Sequence, residues 1–140
     1  MNEAQVHAYT TVPTSSSAGH AGLRFTRRFS RQGVSPYDEV QWEKRTALIT
    51  DHKGNTIFEQ KDVEVPLDWS MTATNIVASK YLHGQMETPE RETGVRQLVQ
   101  RVAETVRDWG IKGEYFATAE DAAVFYDELA LGSGDGLREV

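Results

Sequence analysis

The strongest constraint on the fold is an apolar stripe with helical spacing in the second half of the sequence. Apolar residues recur every three or four positions from Val95 to Trp109, and mainly charged or amide side chains fill the positions between them. This spacing predicts an amphipathic α-helix over residues 93–109, with Gly110 as its end. Because such a helix must bury its apolar face, the rest of the chain has to supply packing partners.

Two further segments are predicted to be helical. Residues 67–83 carry apolar side chains at helical spacing, with Asp68 as the expected N-cap. Residues 118–131 begin at Thr118, and Asp121 follows three positions later as a variant of the capping box. The chain is therefore expected to contain about three helices.

A β-hairpin is predicted before the helices, over residues 43–65. Residues 47–50 and 56–58 are rich in β-forming side chains, and the segment between them contains Gly54, which tolerates the left-handed conformation of a tight turn. Pro66 ends the pattern. An isolated hairpin is marginally stable in water, so we expect this one to pack on the helices.

The resulting prediction is an α+β fold in a single domain over residues 23–131. An arm, residues 23–36, precedes the hairpin, and both helical and extended conformations stay open for it because its helical spacing is short and Gly33 and Pro36 interrupt it. The ends are polar and rich in small residues. We expect residues 1–22 to be a disordered lead and residues 132–140 a flexible tail.

The composition limits the function classes. A net charge of -6 argues against nonspecific binding of nucleic acid by the whole chain. The absence of cysteine excludes disulfides, thiolate metal sites and thiol chemistry within these 140 residues. The start of the sequence does not resemble a signal peptide and no apolar run is long enough for a membrane span. A cytoplasmic protein with no membrane partner is expected.

Four arginines in eight residues are the candidate anion or partner contacts: Arg24, Arg27, Arg28 and Arg31. Guanidinium groups beside phenylalanine are common on phosphate-binding and nucleic-acid-binding surfaces. The competing interpretation is an arm whose arginines pair with the protein's own acids, such as the nearby Asp38, Glu39 and Glu43. In an acidic chain we favour this second interpretation.

Large aromatic side chains are the candidate interface anchors, although burial in the core is the ordinary role of such residues. They are Trp42, Trp69, Trp109, Phe125 and Tyr126. No catalytic, cofactor-binding or metal-binding residue is predicted. The four histidines are scattered, and the sequence has neither a nucleophile elbow nor a phosphate-binding glycine loop.

Four stretches resemble the N-terminal region of adenosylcobalamin-dependent (class II) ribonucleotide reductases. They are GLRFTRRFSRQGVSPYDEVQWEKRTALITDHKGNTIFEQKDVEVP, WSMTATNIVASKYLHG, RETGVRQLVQRVAETVRDWG and YFATAEDAAVFYDELA. The stretches run nearly continuously from Gly22 to Ala130, about three-quarters of the chain, in the order and spacing of that family. After Ala130 the sequence departs from the family pattern and reads LGSGDGLREV.

The resemblance implies an enzyme that reduces ribonucleotides to deoxyribonucleotides for DNA synthesis. In this family, homolysis of the cobalt–carbon bond of adenosylcobalamin generates a thiyl radical, and two further cysteines supply reducing equivalents. That machinery belongs to a ten-stranded α/β barrel, which this chain lacks. Because the chain has no cysteine, the resemblance implies that it is inactive alone, binds no cofactor alone and meets the ribonucleotide only in the full enzyme.

The leading hypothesis is therefore a structural N-terminal segment, split or truncated from the reductase, whose partner is the remainder of the enzyme on the same or a separate chain. The alternative is a stand-alone module that binds a nucleotide or nucleic-acid phosphate through Arg24–Arg31. A nonfunctional relic is a third interpretation. If the first is right, an isolated copy should expose its interface anchors and be marginally stable or self-associating.

Overall fold

The computed structural model describes residues 21–136, with side chains to residue 133. The described elements are, in order, a 3₁₀ turn Pro36–Glu39, β1 Trp42–Thr50, β2 Thr56–Pro66, α1 Met71–Lys80, α2 Val95–Lys112 and α3 Ala119–Gly136. A two-stranded antiparallel hairpin followed by three helices confirms the predicted α+β class. Nearly all of the predicted lead, and residues 137–140 of the predicted tail, lie outside the described part of the chain.

The hairpin forms as predicted because its turn supplies its own hydrogen bonds. β1 and β2 pair from Trp42 opposite Pro66 to Thr50 opposite Thr56. The Asp51 carboxylate accepts hydrogen bonds from the backbone N–H groups two and four residues later, at 2.8 and 2.9 Å. Gly54 takes a φ of 86°, the left-handed conformation that the sequence led us to expect.

Helix α1 is shorter than the predicted span of 67–83. It covers Met71–Lys80, and Ser70 caps it instead of Asp68: the Ser70 hydroxyl accepts a hydrogen bond from the Ala73 backbone N–H at 3.1 Å. The residues before it form a turn, which the Arg45 guanidinium stabilises by donating to the carbonyls of Leu67 and Trp69. A side chain from the hairpin thus delays the start of the helix.

Helix α2 continues to Lys112, so the prediction that Gly110 ends it was wrong. Gly110 lies inside the helix, where the missing side chain leaves room for the Phe116 ring: a Cβ there would come within 2.5 Å of it. The helix is capped at Gly113, whose N–H donates to the Trp109 carbonyl at 2.9 Å.

Helix α3 begins as predicted and ends later than predicted. The Asp121 N–H donates to the Thr118 hydroxyl oxygen at 3.1 Å, and that hydroxyl donates to the Asp121 carboxylate at 2.7 Å. The helix runs to Gly136, so residues 132–136 are helical and the prediction of a flexible tail was wrong there. Gly132 lies within the helix and does not take the left-handed conformation that would end it.

The core lies between one face of the hairpin and the helices. Its fully buried members include Ala47, Val63, Val65, Ala78 and Val95, and the largest neighbour is Trp69 at 4% exposure. α1 and α2 pack on the hairpin, and α3 packs on α2. No helix within residues 21–136 is both long and apolar enough to cross a membrane.

Candidate functional site: the arm clasp

The arginine-rich arm is extended along α3, which decides between the two conformations left open by the sequence. Leu23 makes a short bridge to the connection before α3: its N–H donates to the Tyr115 carbonyl at 2.7 Å, and its carbonyl accepts from the Ala117 N–H at 2.9 Å. We call the contact between residues 23–31 and α3 the arm clasp. It contains the four arginines that the sequence marked as candidate contacts.

An aromatic cluster forms the apolar part of the arm clasp. The ring of Phe25 lies 6.0 Å from that of Phe116 and 5.2 Å from that of Phe125, and the latter two rings are 5.3 Å apart, centroid to centroid. The rings are tilted against each other, as aromatic side chains prefer. Phe125, a predicted interface anchor, is therefore covered by the protein's own arm.

A single carboxylate holds the bend at the end of the arm. Glu128 accepts hydrogen bonds from the backbone N–H groups of Arg28, Phe29 and Ser30, at 3.0, 3.0 and 2.8 Å, and from the Ser30 hydroxyl. Successive backbone N–H groups that converge in this way form an anion-binding concavity. Desolvation disfavours the charged carboxylate, but the hydrogen bonds from Ser30, Phe29 and Arg28 outweigh it and lower the pKa of Glu128 to about 2.

Two further acids of α3 complete the arm clasp. The Phe25 N–H donates to the Asp121 carboxylate at 2.9 Å, and the Arg27 guanidinium donates to Asp127 at 2.6 Å and to the Ser30 hydroxyl at 3.0 Å. The side chains of Arg27 and Asp127 are only 21% and 19% exposed. α3 thus presents three carboxylates to the backbone and to one arginine of the arm.

The four arginines have different environments. Arg27 pairs with Asp127, and Arg31 pairs with Glu39 at 2.9 Å. Arg24 and Arg28 are exposed to solvent, and so is Arg31, whose side chain is 75% exposed despite its pair with Glu39. Internal pairing is thus confirmed for Arg27 and Arg31, although the carboxylate that engages Arg27 was not among the acids that the sequence suggested.

The predicted aromatic anchors also differ in how far they are exposed to solvent. Trp69 is in the core at 4% exposure, while Trp109 is 67% exposed on α2. Trp42 is half-buried, donates its indole N–H to the Tyr37 carbonyl at 2.9 Å and lies under the guanidinium of Arg96, 4.8 Å from the ring centroid. The prediction that Trp69 would be exposed in an isolated copy was wrong, because the hairpin and α1 cover it.

Tyr126 is engaged within the protein as well. Its hydroxyl lies 2.7 Å from that of Tyr37, and the Arg107 guanidinium lies 5.0 Å from its ring centroid. Burial is the largest cause that raises the pKa of both tyrosines, so neither phenol ionises in the physiological range. The expected exposure of the Phe125 and Tyr126 face was wrong, since the arm and the 3₁₀ turn cover it.

Sequence reasoning missed Asp127 and Glu128 because their partners lie about 100 residues earlier in the chain. The available signal was charge complementarity: a basic arm and a predicted helix with acids at positions 121, 127 and 128. Tyr37 was missed for the same reason. Asp121 was identified, but only as a helix cap.

The described residues contain no cluster of metal ligands and have a shallow cleft beside the 3₁₀ turn. Within residues 21–136, no group of three or more His, Asp or Glu side chains is placed to hold a metal ion. A shallow cleft of about 280 Å³ is lined by Glu39, Val40, Gln41, Leu67 and Asp68. This cleft is slightly smaller than the roughly 300–1,000 Å³ typical of small-molecule sites.

Comparison with known proteins gives the family. A family model described as class II vitamin B12-dependent ribonucleotide reductase matches residues 43–132, the segment from the hairpin to α3. Vitamin B12-dependent ribonucleotide reductases from Rhodopirellula baltica and Streptomyces clavuligerus are each 48% identical to the chain, over 111 and 110 residues. The enzyme from Agrobacterium fabrum is 33% identical over a gapped alignment that covers 77% of this chain and 11% of that enzyme.

The fold and the matches thus define a segment of a ribonucleotide reductase. The chain belongs to the class II vitamin B12-dependent ribonucleotide reductase family and corresponds to the N-terminal region of its members. The matches to the first two relatives cover 78% of this chain and 11% of each relative. The resemblance stated from the sequence is confirmed.

Proposed function

We propose that the chain is a structural N-terminal segment of a vitamin B12-dependent ribonucleotide reductase and supplies no catalytic residue. The remainder of the enzyme binds adenosylcobalamin and the ribonucleotide and makes deoxyribonucleotides for DNA synthesis in the cytoplasm. The observation that carries the proposal is the identity of 48% to two such reductases across 78% of the chain.

The contacts of the conspicuous side chains support a structural role. Two of the four arginines form ion pairs within the protein, Arg27 with Asp127 and Arg31 with Glu39. Glu128 accepts hydrogen bonds from the backbone N–H groups at the bend of the arm. The chain also has no cysteine for the radical and redox steps that the family resemblance implies. These residues order the segment, and the chemistry belongs to the rest of the enzyme.

The alternative, a stand-alone phosphate-binding module, gains no support from the same contacts. A phosphate held by Arg27 would have to compete with Asp127, which contacts the guanidinium at 2.6 Å in a pair only 21% and 19% exposed. Arg24, Arg28 and Arg31 are exposed, and isolated surface guanidinium groups bind anions weakly.

A chimeric enzyme tests the proposal. In the Streptomyces clavuligerus reductase, the 110 matched residues are replaced by the corresponding residues of this chain. We expect the chimera to retain adenosylcobalamin-dependent ribonucleotide reduction. A second variant, in which a flexible linker replaces the same residues, should lose assembly or activity. Full activity of the linker variant would show that the segment is dispensable and would reject the proposal. A folded but inactive chimera would contradict it as well.

A further inference from the structure

The apolar stripe of α2 extends past the part of the core that covers it. Near the start of the helix, Val95, Leu98 and Val99 are buried, at 0%, 9% and 4% exposure. Farther along, Val102 is 40% exposed and Trp109 is 67% exposed. Residues seven apart lie on the same side of a helix, two turns along. Farther along α2 the stripe therefore divides: Ala103 is buried at 0% and Val106 is half-buried, while Val102 and Trp109 form an exposed edge.

Tyr115 extends this exposed edge beyond the end of the helix. Gly113, the C-cap of α2, lies four residues after Trp109 and donates its N–H to the Trp109 carbonyl. The Tyr115 ring lies against Gly113, because a Cβ there would come within 2.6 Å of the ring, and the ring itself is 63% exposed. We call the exposed set Val102, Thr105, Trp109 and Tyr115 the α2 strip.

We infer that the α2 strip is the surface through which this segment docks on an apolar patch of the remaining reductase polypeptide. The inference deepens the proposed function and rests on it. The α2 strip lies inside residues 43–132, the segment that the family model matches. The chain covers only 11% of each of the two reductases it matches at 48% identity, so most of the enzyme is available to cover the strip.

The chemistry of the α2 strip defines the partner surface. Tryptophan and tyrosine are enriched among the residues that dominate binding energy at protein interfaces. Around the strip, the exposed residues Asp108, Lys112 and Glu114 carry both signs of charge, which is typical of the polar rim of an interface. The expected partner surface is therefore apolar at its centre, with polar groups at its edge, and is neither an anionic lipid surface nor a nucleic acid.

Hydroxyl-radical footprinting tests this surface without relying on a destabilising variant. Modification rates of Trp109 and Tyr115 are measured in the isolated 140-residue chain and in the active chimera described above. We expect both residues to react freely in the isolated chain and several-fold more slowly in the chimera. Tyr81, 57% exposed and inside the segment 43–132 that the family model matches, is the matched control and should react at the same rate in both.

Different outcomes of this experiment would contradict the docking surface and the proposed function. Unprotected Trp109 and Tyr115 in an active chimera would overturn the docking surface and leave the proposed function standing. Equal protection of Tyr81 would also overturn the docking surface, since the loss of reactivity would then not be specific to the α2 strip. Protection in the concentrated isolated chain that disappears on dilution, with a dimer in light scattering and no protection in the chimera, would make a second copy the occupant and reject the inference. An inactive chimera would count against the proposed function itself.

Discussion

The hairpin core and the arm clasp hold the chain together by different forces. In the core, Val63, Val65 and Val95 are fully buried within a cluster of apolar side chains. In the arm clasp, three carboxylates of α3 bind backbone N–H groups and one arginine, and a single aromatic cluster adds apolar contact. Burial of apolar area is insensitive to pH, whereas carboxylate hydrogen bonds depend on ionisation. The two regions should therefore respond differently to the same perturbations.

The largest expected effect on stability comes from comparing the buried Trp69 with the exposed Trp109. Trp69→Ala removes a core side chain that is 4% exposed and should lower the free energy of unfolding by about 3–5 kcal/mol. Trp109→Ala, at 67% exposure, should change it by less than about 0.5 kcal/mol in the isolated chain. Urea unfolding followed by circular dichroism measures both. Equal losses would mean that α2 is covered in solution by contacts absent from this fold.

A pair of helical glycines tests the junction between the two regions. Gly110→Ala would place a Cβ within 2.5 Å of the Phe116 ring, a member of the aromatic cluster, and should destabilise the chain by about 1–3 kcal/mol despite the higher helix propensity of alanine. At Gly132 no atom lies within 4 Å of the added Cβ, so Gly132→Ala should stabilise by about 0.5–1 kcal/mol. Thermal unfolding distinguishes the two signs, and a gain at both sites would show that Phe116 moves aside freely.

The arm clasp should be separable from the core by a single substitution. Glu128→Gln removes the negative charge that Arg28, Phe29 and Ser30 contact, which should cost about 1 kcal/mol and speed amide exchange at these three positions. Amides of β1 and β2 should exchange as before. Glu120→Gln, at an exposed acid of the same helix, is the control. Faster exchange throughout the hairpin would show that arm and core unfold as one unit.

The features that could be predicted from the sequence are those that depend on residues close together in the chain. The hairpin turn, the α2 periodicity and the Thr118 cap depend on residues within a few positions of each other, and all three predictions are confirmed. Gly110 was misread because its role is set by Phe116, which packs against it from outside the helix. Trp69 and Trp109 lie in similar apolar patterns, and only the placement of the hairpin shows which of them is covered.

The smallest expected effect is a dependence of the arm's stability on pH. It should distinguish the arm clasp from the core most clearly. The pKa of Glu128 falls from an ordinary 4.5 to about 2 in the folded protein, so the charged form is favoured by folding. Its contribution to stability is complete above about pH 4.5 and is lost as the pH falls toward 2. Amide exchange of residues 28–30 should therefore accelerate over this window relative to the core amides, after correction for the intrinsic effect of pH. In Glu128→Gln the corrected difference should be flat, and a residual dependence would assign the arm's pH response to Asp121, which accepts the Phe25 N–H and whose pKa is also lowered.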